Sequence, residues 1–74
     1  MKEFKKMFKE GQIRKDEMGH IYCISRYYGE YNNDVIYIDG IVSPFISRNS
    51  LERSELIAEY PTWQEAVNSK EFKE

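Results

Sequence analysis

Apolar positions follow a helical period at the start of the chain and a period of two through its middle. Met1, Phe4, Met7 and Phe8 share one face of a helix over 2–10, lysines fill the rest, and Gly11 is placed to end it. So short a helix is not stable alone, and its apolar stripe must dock on something. Beyond Gly11, residues 12–15 and 20–28 flank Asp16-Glu17-Met18-Gly19, a turn-forming tetrapeptide, and predict a hairpin. In its second strand Ile21, Cys23, Ser25 and Tyr27 alternate with Tyr22, Ile24, Arg26 and Tyr28. Neither set is cleanly polar, so one face is expected to meet a helix and the other to be partly covered.

Residues 29–34, Gly-Glu-Tyr-Asn-Asn-Asp, form the strongest loop signal in the chain. Two β-branched runs, 35–38 and 41–47, then flank Asp39-Gly40, a strong hairpin signal with Gly relieving the positive φ of a primed turn. Pro44 cannot donate to a ladder, which puts its strand at a sheet edge or at a bulge. Over 48–60 the apolar positions 51, 56, 57, 58 and 60 fit no helical stripe. Asn49 or Ser50 is available to cap a helix there, but the pattern favours a polar loop over 48–54 and a strand over 55–60. At the tail, Thr62 and Glu65 form a capping box behind Pro61, and Trp63, Ala66, Val67 and Lys70 supply one helix face. The expected fold is α+β in a single domain over 1–74. It has an N-terminal helix, an antiparallel meander of four or five strands, and a C-terminal helix, with both helices packed on one sheet face.

The hairpin Gln12-Ile13-Arg14-Lys15-Asp16-Glu17-Met18-Gly19-His20-Ile21-Tyr22 and the tail Tyr60-Pro61-Thr62-Trp63-Gln64-Glu65-Ala66-Val67 resemble those of small uncharacterised phage and prophage proteins of Gram-positive bacteria. The resemblance covers about a third of the chain. Its motifs are a turn and a capped helix, so it transfers no functional residue. It implies a setting in which small proteins act by binding host or phage components.

Composition narrows the function classes. At 74 residues the chain buries only about 60–65% of the surface its unfolded form exposes, so its core is marginal. No apolar stretch approaches the length of a membrane span or a secretory signal. Cys23 is alone, which excludes an internal disulfide and makes a reducing cytoplasm the expected compartment. With His20 the only other soft ligand, a structural zinc site is excluded, and no cofactor motif occurs. The net charge of −2 hides an asymmetry: residues 1–15 carry six basic and two acidic side chains, residues 16–74 five basic and eleven acidic. A basic head on an acidic body suits pairing within a molecule, between copies, or with an anionic partner.

The candidate chemistry is thin. His20 is the first candidate base, but alone beside a turn glycine it reads as a polar strand-end residue. Cys23 lies three strand positions from it, about 10 Å away and on the opposite face, so the two cannot exchange a proton. A buried thiol acting as a small hydrophobe is the better reading of Cys23. An enzyme would rest on His20 near Asp16 and Glu17 alone.

Tyrosine is the over-used residue, with five of six between positions 22 and 37. It brings contact area with a polar tip, which suits interfaces, although a small sheet also places aromatics on its strands. Two binding readings result. The first is a non-catalytic, self-associating protein-interaction module with Tyr27, Tyr28, Tyr31 and Tyr37 as contacts and a second copy, in a dimer, or a host or phage protein as partner. Its warrant is that so small a fold, without disulfide or metal, gains from oligomerisation. The second is a single-stranded nucleic-acid binder using Arg14, Lys15, Tyr22, Arg26 and Tyr28. It ranks lower because Glu30, Asp34 and Asp39 lie among these residues and a polyanion needs a basic patch. The basic helix has too little apolar area for a membrane surface and reads better as core.

Overall fold

A computed structural model describes residues 8–73 of the protein. Four strands follow one another as hairpins: β1 (Gln12–Lys15), β2 (Ile21–Arg26), β3 (Asn33–Tyr37) and β4 (Val42–Ile46). A one-turn helix α1 (Arg48–Glu52) leads into β5 (Glu55–Glu59), and α2 (Trp63–Val67) with a 3-10 turn at Lys70–Phe72 closes the chain. All pairings are antiparallel, and the sheet order is β4-β3-β2-β1-β5. The first four strands therefore meander, and β5 returns across the sheet to pair with β1.

The local chemistry explains the hairpins. Asp16 Oδ1 accepts from the backbone N–H of Met18 and of His20, both at 2.9 Å, which closes the β1–β2 turn. At the β3–β4 turn Gly40 N donates to Tyr37 O and Tyr37 N to Ile41 O, both at 2.8 Å, with Gly40 at φ 95°. This is a three-residue loop ending in a glycine bulge, not the two-residue primed turn expected of Asp-Gly.

The sheet is covered on both faces. On one, Tyr22, Ile24, Val35, Leu51 and Phe8 form a buried cluster. On the other, Ile13, Cys23, Ala66 and Phe72 are buried together, with Trp63 and Val67 packed against them. α2 and the 3-10 turn cover the Cys23 face, and α1, an additional helix, covers the opposite one, where Phe8 from the expected N-terminal stripe also packs. Residues 48–54, expected as a polar loop, hold α1. Ser47 caps it by accepting from Ser50 N, and it buries Leu51 completely. A single turn needs only one apolar residue, so it leaves no stripe to read.

The helix expected over 2–10 lies mostly outside the described residues, and residues 8–10 are coil and turn, not helix. Phe8 does join the core: its ring is 5.9 Å from that of Tyr27, and the Arg14 guanidinium sits 4.8 Å over it. Tyr27 was expected on the Cys23 face. A register shift in the β2–β3 pairing between Ile24 and Arg26 carries it to the Phe8 side. At the tail the capping box forms, with Thr62 Oγ1 accepting from Glu65 N at 3.2 Å. The 3-10 turn is held by a hydrogen bond from Tyr60 Oη to Glu71.

Candidate functional site

Strand β4 is one edge of the sheet, and residues 41–47 contain no charged side chain. Natural edges are usually blunted by charge, a proline or a bulge; this one has the proline and the bulge but no charge. Because Ile41 O accepts from Tyr37 N, the alternation of the ladder turns the backbone of Val42 and Pro44 outward. Pro44 therefore withholds a donor on the open side. Val35 pairs with Ser43 and Asn33 with Ile46, so β4 carries one extra residue between them. Phe45, in that stretch, has φ 61°, a conformation bulky side chains rarely adopt. It packs in neither core cluster. Ile41, Val42 and Phe45 are 62, 58 and 75% exposed.

The loop between β2 and β3 lies at the Ile46 end of this edge, and Asn33 ties the two together. Its side chain is fully buried, with Oδ1 accepting from Tyr28 N at 2.6 Å and Gly29 N at 3.2 Å. Its Nδ2 donates to Gly29 O at 2.7 Å and Ile46 O at 3.0 Å. Arg48 N adds a bond to Glu30 O at 2.9 Å. Tyr28 and Tyr31 project from the loop, 66 and 71% exposed. Loop and edge thus hold five large, water-facing apolar or aromatic side chains, a concentration that marks interaction surfaces.

The four candidate contact tyrosines divide accordingly. Tyr28 and Tyr31 are on the surface. Tyr27 packs on Phe8, and Tyr37 packs edge-on against Tyr22 with centroids 5.6 Å apart. Burial raises the Tyr37 phenol above its ordinary pKa, and Tyr22 more plainly still belongs to the core, buried and raised in the same way.

The nucleic-acid set is not brought onto one surface. Arg14 is 7% exposed, and burial lowers its pKa. Its Nε donates to Ser54 Oγ at 2.7 Å and its Nη1 to Gln12 Oε1 at 2.8 Å, while Gln12 Nε2 donates to Glu59 at 2.9 Å. It is a core cation held by a polar chain. Lys15 is exposed, on the face opposite to Arg14. Arg14 and Tyr22 are cross-strand partners but both are buried, and at the surface Arg26 meets Tyr28, at 3.2 Å from Nη1 to Oη. They border a groove of about 370 Å³ with Lys9 and Trp63, two residues the sequence reading missed for this place.

No match to the chain exists among protein-family models, curated proteins or solved structures. The surface therefore has to be read from its own chemistry.

That chemistry is poor in reactive groups. His20 Nδ1 lies 3.5 Å from Asp16 Oδ2 at an exposed turn, and its ring meets Tyr37 edge-on at 6.4 Å. Among the described residues no cluster of His, Cys, Asp and Glu is arranged to hold a metal, and no helix is long and apolar enough to cross a membrane.

Cys23 is fully buried, and burial pushes its thiol up to about 11 from an ordinary 9.0. The folded state thus holds this proton more tightly than the unfolded one, so the thiol's contribution to stability is complete below pH 9.0 and is lost as pH rises toward 11. Alkylation of Cys23 at pH 8 should therefore follow global unfolding, at least about 100-fold slower than for a model thiol. A rate equal to that of the model thiol would contradict the buried position.

Proposed function

We propose that the protein is a non-catalytic protein-interaction module that self-associates through β4 and the β2–β3 loop. The observation that carries this is Phe45: a large aromatic ring at the sheet edge, three-quarters exposed and held at a positive φ. Strain of this kind costs on the order of 1–3 kcal/mol and persists where it serves a site. Ile41 and Val42 stand on the same uncharged edge, and burying what each still shows to water is worth on the order of 1 kcal/mol. Twofold symmetry doubles that gain, because each copy presents the same patch. The resemblance to phage and prophage proteins makes a host or phage protein the second candidate occupant of this surface. Single-stranded nucleic acid ranks below both, because Arg14 and Tyr22 are buried and Arg26 is cross-strand to Asp34.

Light scattering from low to high micromolar concentration tests the reading. The wild-type mass should rise toward that of a dimer, and Val42→Lys should remain monomeric with an unchanged circular dichroism spectrum. A wild type that stays monomeric throughout would remove self-association from the proposal.

A further inference from the structure

Asp39 precedes Gly40, whereas every other Asp and Asn of the chain precedes a residue with a Cβ. A backbone nitrogen can attack the side-chain carboxyl of the residue before it and close a five-membered succinimide ring. A Cβ on the attacking residue hinders that approach, and glycine has none. Both residues are exposed at the tip of the β3–β4 hairpin, and nothing lies within 4 Å of where a Gly40 Cβ would stand. Water therefore has open access to this peptide bond.

The closed turn keeps the reacting groups apart. Gly40 N–H, on the attacking nitrogen, donates to Tyr37 O at 2.8 Å. Asp39 Oδ1 accepts from Ile41 N at 3.1 Å, one residue beyond the nitrogen that would attack. Tyr37 N closes the loop onto Ile41 O at 2.8 Å. All three bonds sit at one hairpin tip, and the strand beyond them is an edge strand. Such a tip opens locally, at far less cost than global unfolding.

We infer that Asp39–Gly40 is a site of spontaneous backbone isomerisation, reached by local opening of the β3–β4 turn, and that the isomerised linkage detaches the start of β4. This goes beyond the interaction reading and does not depend on it. In the open turn Gly40 N bonds to Asp39 Cγ, and the amide hydrogen and the carboxyl hydroxyl leave together as water. A water molecule then adds to the ring. Cleavage of the new N–Cγ bond restores aspartate, whereas cleavage of the original peptide bond leaves the chain running through Cβ, as isoaspartate.

The mass is unchanged, but the main chain is longer by one bond, about 1.5 Å. N–H···O bonds span only about 2.7–3.2 Å. The loop closure between Tyr37 and Ile41 and the pairing of Ile36 with Val42 therefore cannot both survive the insertion. Ile41 and Val42 are the residues displaced.

Incubation of the full chain in heavy-oxygen water, followed by peptide mapping, tests this. Each passage through the ring leaves one solvent oxygen at residue 39. Label and isoaspartate should both appear there, about 10-fold or more slowly in the folded chain than in the urea-unfolded one. In urea below the unfolding transition the folded rate should stay nearly constant, because a local opening exposes little surface. Asp39→Glu, which would need a six-membered ring, should take up no label at that position. The isoaspartyl form, separated by chromatography, should show shifted amide NMR signals at 36–43 and unchanged ones at Ile13 and Cys23. Absence of label at residue 39, equal folded and unfolded rates, or a folded rate that climbs with urea as global unfolding does would overturn the gated site. Unchanged signals at 36–43 would overturn the detachment of β4.

Discussion

Gly11→Ala is expected to abolish most of the folded population. Gly11 has φ 93°, where a Cβ is strained, and an added Cβ would overlap the Tyr60 carbonyl oxygen and sit 3.3 Å from Thr62 O. Those obstacles are backbone atoms and cannot rotate away. Both backbone groups of Gly11 are also in use: its N–H donates to Ile24 O at 2.9 Å, and its C=O accepts from Tyr60 N at 3.0 Å. The residue thus ties the lead-in to β1 to both β2 and the exit of β5. Strain at this φ costs about 1–2 kcal/mol and forced displacement of packed backbone about 1–3 more. A domain this small has only about 3–5 kcal/mol to lose. Gly19 and Gly40 also have positive φ, but nothing lies within 4 Å of their would-be Cβ atoms. Alanine there should cost about 1 kcal/mol. Urea titration followed by circular dichroism checks the contrast; a Gly11→Ala midpoint equal to that of Gly40→Ala would contradict it.

Asn33→Ala should be the most damaging polar substitution, at about 3 kcal/mol, which lowers the Tm by about 10–20 °C. Four backbone groups lose their partner together: the N–H of Tyr28 and of Gly29, and the C=O of Gly29 and of Ile46. Asn33→Asp should not rescue it, since it keeps the acceptors, removes both donors and aims a carboxylate at two carbonyls. Asn32→Ala is the control, because that side chain is exposed and only its φ of 69° is affected. The damage should extend to function, because Asn33 holds the loop bearing Tyr28 and Tyr31 against the end of β4 that bears Phe45. Differential scanning calorimetry and light scattering on the same samples check both effects. Equal melting of the Asn32 and Asn33 variants would contradict the role of the buried amide.

Much of the fold is legible in the sequence wherever the determinant is local. Asp16 with Gly19, Asp39 with Gly40, and Thr62 with Glu65 each place a turn or cap through contacts a few residues apart. What was not legible depends on residues far apart. Nothing near β5 says that it pairs with β1, and one buried leucine in α1 leaves no period. Tyr27 changed face because a bulge breaks the alternation on which its placement relied. The site shows the same divide. Ile41, Val42 and Phe45 read as an ordinary β-branched and aromatic strand, and whether such a strand is central or at an edge is decided by the other strands. Pro44 was the one local signal of the edge. Asn33 sat in a loop-forming hexapeptide, and its burial follows only from the strand and loop that close over it.

The most direct test of the account is the dilution of isotopically labelled wild-type protein, followed by two-dimensional amide NMR. Self-association through this edge predicts concentration-dependent shifts concentrated at residues 28–31 and 41–47, and none at the opposite edge, β5. Spectra that do not change with concentration, or shifts that centre on β5, would contradict it.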